Sequence, residues 1–66
     1  MLTATRIAEL ASRPGVRKTA VENFLSSLDG LTYEEAVANC VLDTRLYRWN
    51  HETSGTIREG LAEHFG

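Results

Sequence analysis

Cys40 is the only cysteine among the 66 residues of this chain, so no intramolecular disulfide can hold the fold together. A domain of this size buries only about 60% of the surface that its unfolded chain exposes, and its core leaves a margin of about 3–5 kcal/mol. One layer of packed helices is the architecture that such a margin allows. A lone thiol among apolar residues is also typical of a reducing compartment, so we expect a cytoplasmic protein.

Apolar residues recur at helical spacing along most of the chain, and Gly and Pro residues separate the apolar groups. The spacing predicts a compact all-α bundle of three to four short helices, at about residues 4–12, 16–28, 32–44 and 55–65, in a single domain of residues 1–66. The widest apolar stripe belongs to the second helix and comprises Ala20, Val21, Phe24, Leu25 and Leu28. No apolar run approaches the roughly 20 residues that span a bilayer, and no signal-peptide pattern opens the chain, so we expect no membrane partner.

Two segments have the pattern of a capping box. Thr32 and Glu35 stand three residues apart at the start of the third helix, with Leu31 before them as one half of a weak hydrophobic staple. Thr56 and Glu59 have the same spacing near the predicted start of the last helix. Between residues 45 and 54 the pattern fits either a frayed helix or an ordered loop, and Trp49 is expected to close one side of the core.

Catalysis, metal binding and cofactor binding find no support in the residues present. The only cysteine and the two histidines, His51 and His64, stand at unrelated spacings, whereas a tetrahedral zinc site needs about four ligands. Cys40 fits a small core residue better than an activated thiolate, and no glycine-rich phosphate loop occurs. We therefore expect a protein that is not an enzyme on its own and that has no cofactor.

Charge is unevenly distributed along the chain. Residues 1–27 carry four basic and two acidic side chains, while residues 28–66 carry three basic and seven acidic ones, for a formal net charge of −2. Net acidity argues against a large phosphate-binding surface, but the N-terminal half alone is basic.

The order of residues across the first two predicted helices is the most specific pattern in the chain. An Ala-Glu-x-Ala sequence fills residues 8–11, Gly15 is followed by a valine, and Val21 lies in the second helix. This order resembles the helix-turn-helix of bacterial repressors of the lactose-repressor type. In such a motif small residues let the two helices cross closely, glycine permits the turn, and the valine anchors the second helix so that its outer face can enter a major groove.

The resemblance implies a small DNA-binding protein, a transcriptional regulator or accessory factor that forms a homodimer through its C-terminal half. It implies that base edges would be contacted by Lys18, Thr19 and Asn23. Phosphates would be contacted by Thr5, Arg6, Arg13, Arg17 and Ser26. This hypothesis requires that the apolar stripe of the second helix faces inward and turns the base-contacting residues toward solvent.

A second resemblance leads to a different function. Gly15-Val16 before an apolar helix, Asp29-Gly30 after it, and Glu35-Ala36-Val37 in the third helix are similar to the ubiquitin-associated type of three-helix bundle. That resemblance implies a helical protein-interaction module without nucleic-acid binding, and the acidic pI near 5.6 suits it. Its protein-binding patch would comprise Gly15, Val16, Tyr47 and Trp49.

Overall fold

A computed structural model describes residues 2–42 and 49–66 of this chain. Four helices are present in that part of the chain: α1 (Ala4–Ala11), α2 (Lys18–Ser26), α3 (Tyr33–Leu42) and α4 (His51–Phe65). The predicted all-α bundle is thereby confirmed. None of the described helices combines the length and the hydropathy that a membrane crossing requires.

Local capping sets the start of α1 and of α3. The Thr3 hydroxyl accepts a hydrogen bond from the Arg6 N–H at 3.1 Å and so caps α1. At α3, the Thr32 hydroxyl accepts from the Glu35 N–H at 3.1 Å and the Glu35 carboxylate accepts from the Thr32 N–H at 2.9 Å. The predicted capping box is therefore confirmed, with Leu31 packed on the core beside the buried Ala36.

The prediction for the start of the last helix is wrong by about one turn. Helix α4 begins at His51, not near residue 55, and its cap is Asn50, whose Oδ1 accepts from the Thr53 N–H at 2.9 Å. Thr56 is buried inside the helix, and the Glu59 carboxylate accepts hydrogen bonds from Arg6 of α1 and from Arg13 in the turn after α1. The second capping box therefore does not form, because Asn50 satisfies the free N–H groups one turn earlier.

The predicted second helix also begins too early and ends too late. Arg17 has an extended backbone, with φ −79° and ψ 93°, and the Val16 N–H donates to the Arg13 carbonyl in a turn. At the other end, Ser27 closes the helix with its N–H on the Phe24 carbonyl. The predicted boundaries of α1 and α3 lie close to those observed, although residues 43 and 44 lie outside the described part.

The core lies between α1, α2 and α4. Leu10 and Val21 have no exposed surface, and Ile57 and Leu61 of α4 complete the contact. Trp49 packs against this cluster and meets the Phe24 ring edge-on, with the ring centroids 6.4 Å apart, as expected for a residue that closes one side. Among the residues whose burial the structure describes, the buried apolar ones are Leu10, Ala11, Val21, Leu25, Leu28, Ala36, Ile57 and Leu61.

Helices α2 and α4 approach closely at Gly60. A Cβ atom at that position would lie 2.6 Å from Leu25 Cδ2 and 2.9 Å from Leu25 Cδ1, and both residues are buried. Leu25 therefore occupies the space that a side chain on α4 would need.

Replacing Gly60 with alanine is expected to lower the free energy of unfolding by up to about 2 kcal/mol, since overpacking of the core, about 1–3 kcal/mol, exceeds the gain in helix propensity of about 0.5–1 kcal/mol. Gly55 of the same helix is the matched control, because a Cβ there meets no atom within 4 Å. Gly55→Ala should raise stability by about 0.5–1 kcal/mol through helix propensity alone. Urea denaturation measures both. Equal stabilisation by the two substitutions would contradict this packing.

Candidate nucleic-acid interface

The outer face of α2 carries the three residues that the resemblance assigns to base edges. Lys18, Thr19 and Asn23 are all exposed. The opposite face of the helix is anchored by Val21 and Leu25, both buried. The geometric requirement stated from the sequence is therefore met, and the three polar residues form what we call the reading face.

The turn before α2 is held by the start of α4. Gly15 has φ +80°, a left-handed conformation that glycine adopts most easily, and its carbonyl accepts from Asn50 Nδ2 at 2.7 Å. The Arg17 N–H donates to the buried Thr53 hydroxyl at 3.0 Å. The backbone on the N-terminal side of the reading face thus has fixed partners on another helix.

Two of the arginines assigned to phosphates form hydrogen bonds with carboxylates of the same chain. The Arg6 guanidinium donates two hydrogen bonds to Glu63, at 2.9 and 2.7 Å, and one to Glu59 at 3.3 Å. Arg13 donates two to Glu59, at 2.6 and 2.9 Å. We call these four side chains the arginine–glutamate network, and it joins the α1 region to α4. A further and longer ion pair of 3.6 Å links Arg6 to Glu9.

The network shifts the pKa of each of its members. Hydrogen bonds from Arg13 hold the pKa of Glu59 below its ordinary value of 4.5, and those from Arg6 do the same for Glu63. The same hydrogen bonds raise the pKa of both arginines. All four groups are therefore charged at neutral pH, and the positive charges of Arg6 and Arg13 are offset by neighbouring carboxylates.

The other residues assigned to phosphates are accessible. Thr5, Arg17 and Ser26 are exposed, and neither Arg17 nor Lys18 forms an ion pair with any residue in the described part of the chain. Arg17 occupies the N-cap position of α2, where its side chain makes no capping hydrogen bond. The cations beside the reading face are thus available to a ligand.

The alternative protein-binding patch is partly covered. Val16 and Trp49 are half-buried against the core, and the Gly15 carbonyl is bonded to Asn50. Tyr47, its fourth member, lies outside the described residues. Gly15 itself is exposed, so the patch is covered only in part.

Two surface hollows lie on either side of Trp49 along α2. One, of about 290 Å³, is lined by side chains that include Asn23, Asn39 and Trp49, and we call it the amide hollow. The other, of about 370 Å³, is lined by Arg17, Lys18, Thr19, Ala20 and Trp49, and we call it the cation hollow. Ala20 and Trp49 border both.

A third hollow, of about 340 Å³, lies between α3 and α4 and has apolar walls that include Val37, Ile57 and Leu61. Tyr33 stands at its border, 54% exposed, with its ring edge-on to Phe65. Cys40 also lines this hollow, half-buried at the edge of the core. In the described part of the chain no three His, Cys, Asp or Glu side chains are grouped so that they could hold a metal ion.

Comparisons with protein-family models, with curated proteins and with solved structures found no match to this chain.

Glu59 and Glu63 were not predicted from the sequence as partners of the arginines. Their spacing of four residues does place them on one face of α4, and Arg6 and Arg13 lie in α1 and in the turn after it. That pattern indicates an acidic helix face and two basic residues that could oppose each other. It does not say that they meet, because the contact depends on how α1 packs on α4.

Stability should fall in acid through the network. Because the folded pKa values of Glu59 and Glu63 lie below 4.5, their contribution is present above that pH and is lost as pH falls through the folded values. A double Glu59→Gln, Glu63→Gln variant should be less stable at pH 7 and lose less further stability down to pH 3. Urea denaturation at several pH values measures this, with the exposed Glu34→Gln as control. A double variant that keeps the full acid sensitivity of the parent would disprove the assignment.

Proposed function

We propose that this chain is a small helix-turn-helix DNA-binding protein, a regulator or accessory factor, in which α2 enters the major groove. The observation that carries the proposal is the exposure of Lys18, Thr19 and Asn23 on a helix whose opposite face is buried. A recognition helix needs this division, since it must be anchored on one side and open on the other.

The chemistry of the reading face suits base edges. A lysine ammonium donates to the O6 and N7 acceptors of guanine, and an asparagine amide pairs with N6 and N7 of adenine. Threonine adds a hydroxyl and a methyl group, and the methyl can contact the C5-methyl of thymine. The reading face thus offers bases a charged donor at Lys18, a hydroxyl with a methyl group at Thr19, and an amide at Asn23.

The hydrogen bonds from α4 to the turn favour the same function. Because the Gly15 carbonyl and the Arg17 N–H have fixed partners in Asn50 and Thr53, α2 is held in one orientation before it meets a ligand. Preorganisation of this kind lowers the entropic cost of binding.

In this proposal Thr5, Arg17 and Ser26 contact phosphates. Arg6 and Arg13 do not, because they bind the carboxylates of the arginine–glutamate network. One unit then presents little basic surface, so tight binding would require two copies. The expected homodimer contact lies in the C-terminal half of the chain, which is predominantly acidic.

The alternative of a ubiquitin-associated-like interaction module draws less support. Within its patch, the exposed Gly15 is held to Asn50 through its carbonyl, and Val16 is partly buried against the core. We therefore propose DNA as the partner.

Binding to a mixed-sequence DNA duplex should be measurable by fluorescence anisotropy at low salt and should weaken as salt rises, because counterions are released. Arg17→Gln should reduce the slope of log affinity against log salt by about 0.9 for each phosphate that the side chain no longer neutralises. Asn23→Ala should weaken binding with little change in that slope, since a base-edge contact releases no counterion.

Arg58→Gln is the matched control, because Arg58 is an exposed cation on α4 that lines neither the cation hollow nor the amide hollow. It should leave the salt slope unchanged. Absence of duplex binding even at low salt, or equal effects of Arg17→Gln and Arg58→Gln, would overturn the proposal.

A further inference from the structure

Trp49 stands between two hollows of different chemistry. The cation hollow contributes the guanidinium of Arg17 and the ammonium of Lys18, while the amide hollow contributes the carboxamides of Asn23 and Asn39. Among the described residues that line either hollow, none is acidic. Within a chain of net charge −2, this surface is locally basic.

Each element of this surface matches one part of a nucleotide. Cations attract phosphate, an aromatic ring stacks with a base, and an asparagine amide can both donate to and accept from a base edge. The indole Nε1 of Trp49 is buried, so the surface that the residue offers to a ligand is the apolar part of its ring. Two hollows of about 290 and 370 Å³ leave room for a planar group on each side.

We infer that this surface binds single-stranded DNA, with an unpaired base stacked on Trp49, its edge toward Asn23 and Asn39, and the adjoining phosphate toward Arg17 and Lys18. The inference rests on the proposed function in that Arg17, Lys18 and Asn23 serve both. It goes further in naming unpaired bases as a substrate and in adding Trp49 and Asn39 to the site.

Trp49 and Asn39, the two residues added to the site, suit a single strand better than a duplex. In a duplex each base face is covered by its neighbours, so an aromatic side chain can stack only on a base that has left the helix or was never paired. Reading base edges in a major groove uses α2 and makes no use of Trp49. Substitution of Trp49 or Asn39 should therefore weaken the binding of single-stranded DNA and leave the binding of duplex DNA unchanged.

Trp49 is the only tryptophan, so its fluorescence reports on its own ring. A 12-nucleotide oligothymidylate, which cannot pair with itself, should quench that fluorescence on binding to the full chain. With a fluorescein-labelled copy of the same strand, Trp49→Leu should weaken binding roughly 5- to 150-fold, as expected when one base no longer stacks. Trp49→Phe should recover part of the affinity.

Two further variants keep the test decisive. Tyr33→Leu removes an exposed aromatic residue that lines neither hollow, and it should leave binding of the strand unchanged. Asn39 is exposed on α3, and Asn39→Ala should weaken binding of the strand and spare the duplex. Where Trp49→Leu fails to fold by circular dichroism, Asn39→Ala and the quenching of the parent chain decide the question.

The outcomes separate the two proposals. Duplex binding without binding or quenching by the single strand overturns this inference and leaves the proposed function standing. Single-strand binding that depends on Trp49 and Asn39, with no duplex binding, supports the inference and overturns the major-groove proposal. If the chain binds neither substrate, both proposals are overturned. If Trp49→Leu or Asn39→Ala keeps the full affinity for the single strand, the inference of this subsection is overturned.

Discussion

The start of α4 holds the turn between α1 and α2, and the position of α2 depends on that contact. Asn50 uses both ends of one carboxamide, since Oδ1 caps α4 through the Thr53 N–H and Nδ2 donates to the Gly15 carbonyl. Thr53, fully buried, then accepts from the Arg17 N–H. A turn that joins two short helices across six residues has few partners of its own, so α4 supplies the hydrogen bonds that its backbone needs.

Farther along α4, apolar packing and ion pairs hold the helix against α1 and α2. Ile57 and Leu61 pack into the core, Gly60 lets Leu25 of α2 lie against the helix backbone, and Glu59 and Glu63 bond to the arginines of the α1 region. Burying a large aliphatic side chain contributes about 1.5–3 kcal/mol, so the core outweighs the surface ion pairs in stability. The arginine–glutamate network instead determines which cations remain for a ligand.

Features of the chain that depend on neighbouring residues could be predicted from the sequence. The caps at Thr3 and at Thr32 and the inward face of α2 each follow from residues within four positions of one another. The start of α4 could not be predicted in the same way, because Thr56 and Glu59 offered an equally good local box. The contact of Asn50 with Gly15, 35 residues earlier, forms only in the assembled fold.

For the charged residues too, the sequence predicts their distribution along the chain but not their contacts in the fold. The sequence establishes a basic N-terminal half and an acidic C-terminal half, which we interpreted as a DNA-facing surface and a separate acidic region. In the fold, Arg6 and Arg13 meet two of the carboxylates of that acidic half, whereas Arg17 and Lys18 remain open beside Trp49. Composition predicts how many charges each half holds, but only the packing of α1 on α4 determines which of them neutralise each other.

Hydrogen exchange of the Arg17 amide in a Thr53→Val variant tests the contact between α4 and the turn most directly. Valine keeps the shape of the buried side chain and removes the acceptor, so the Arg17 N–H should exchange faster relative to the core amides of α4, and stability should fall by about 1–3 kcal/mol. Thr56→Val is the matched control, since that buried threonine accepts no such bond in the described part of the chain. An Arg17 amide that keeps its parental protection in Thr53→Val would show that α4 does not hold the turn.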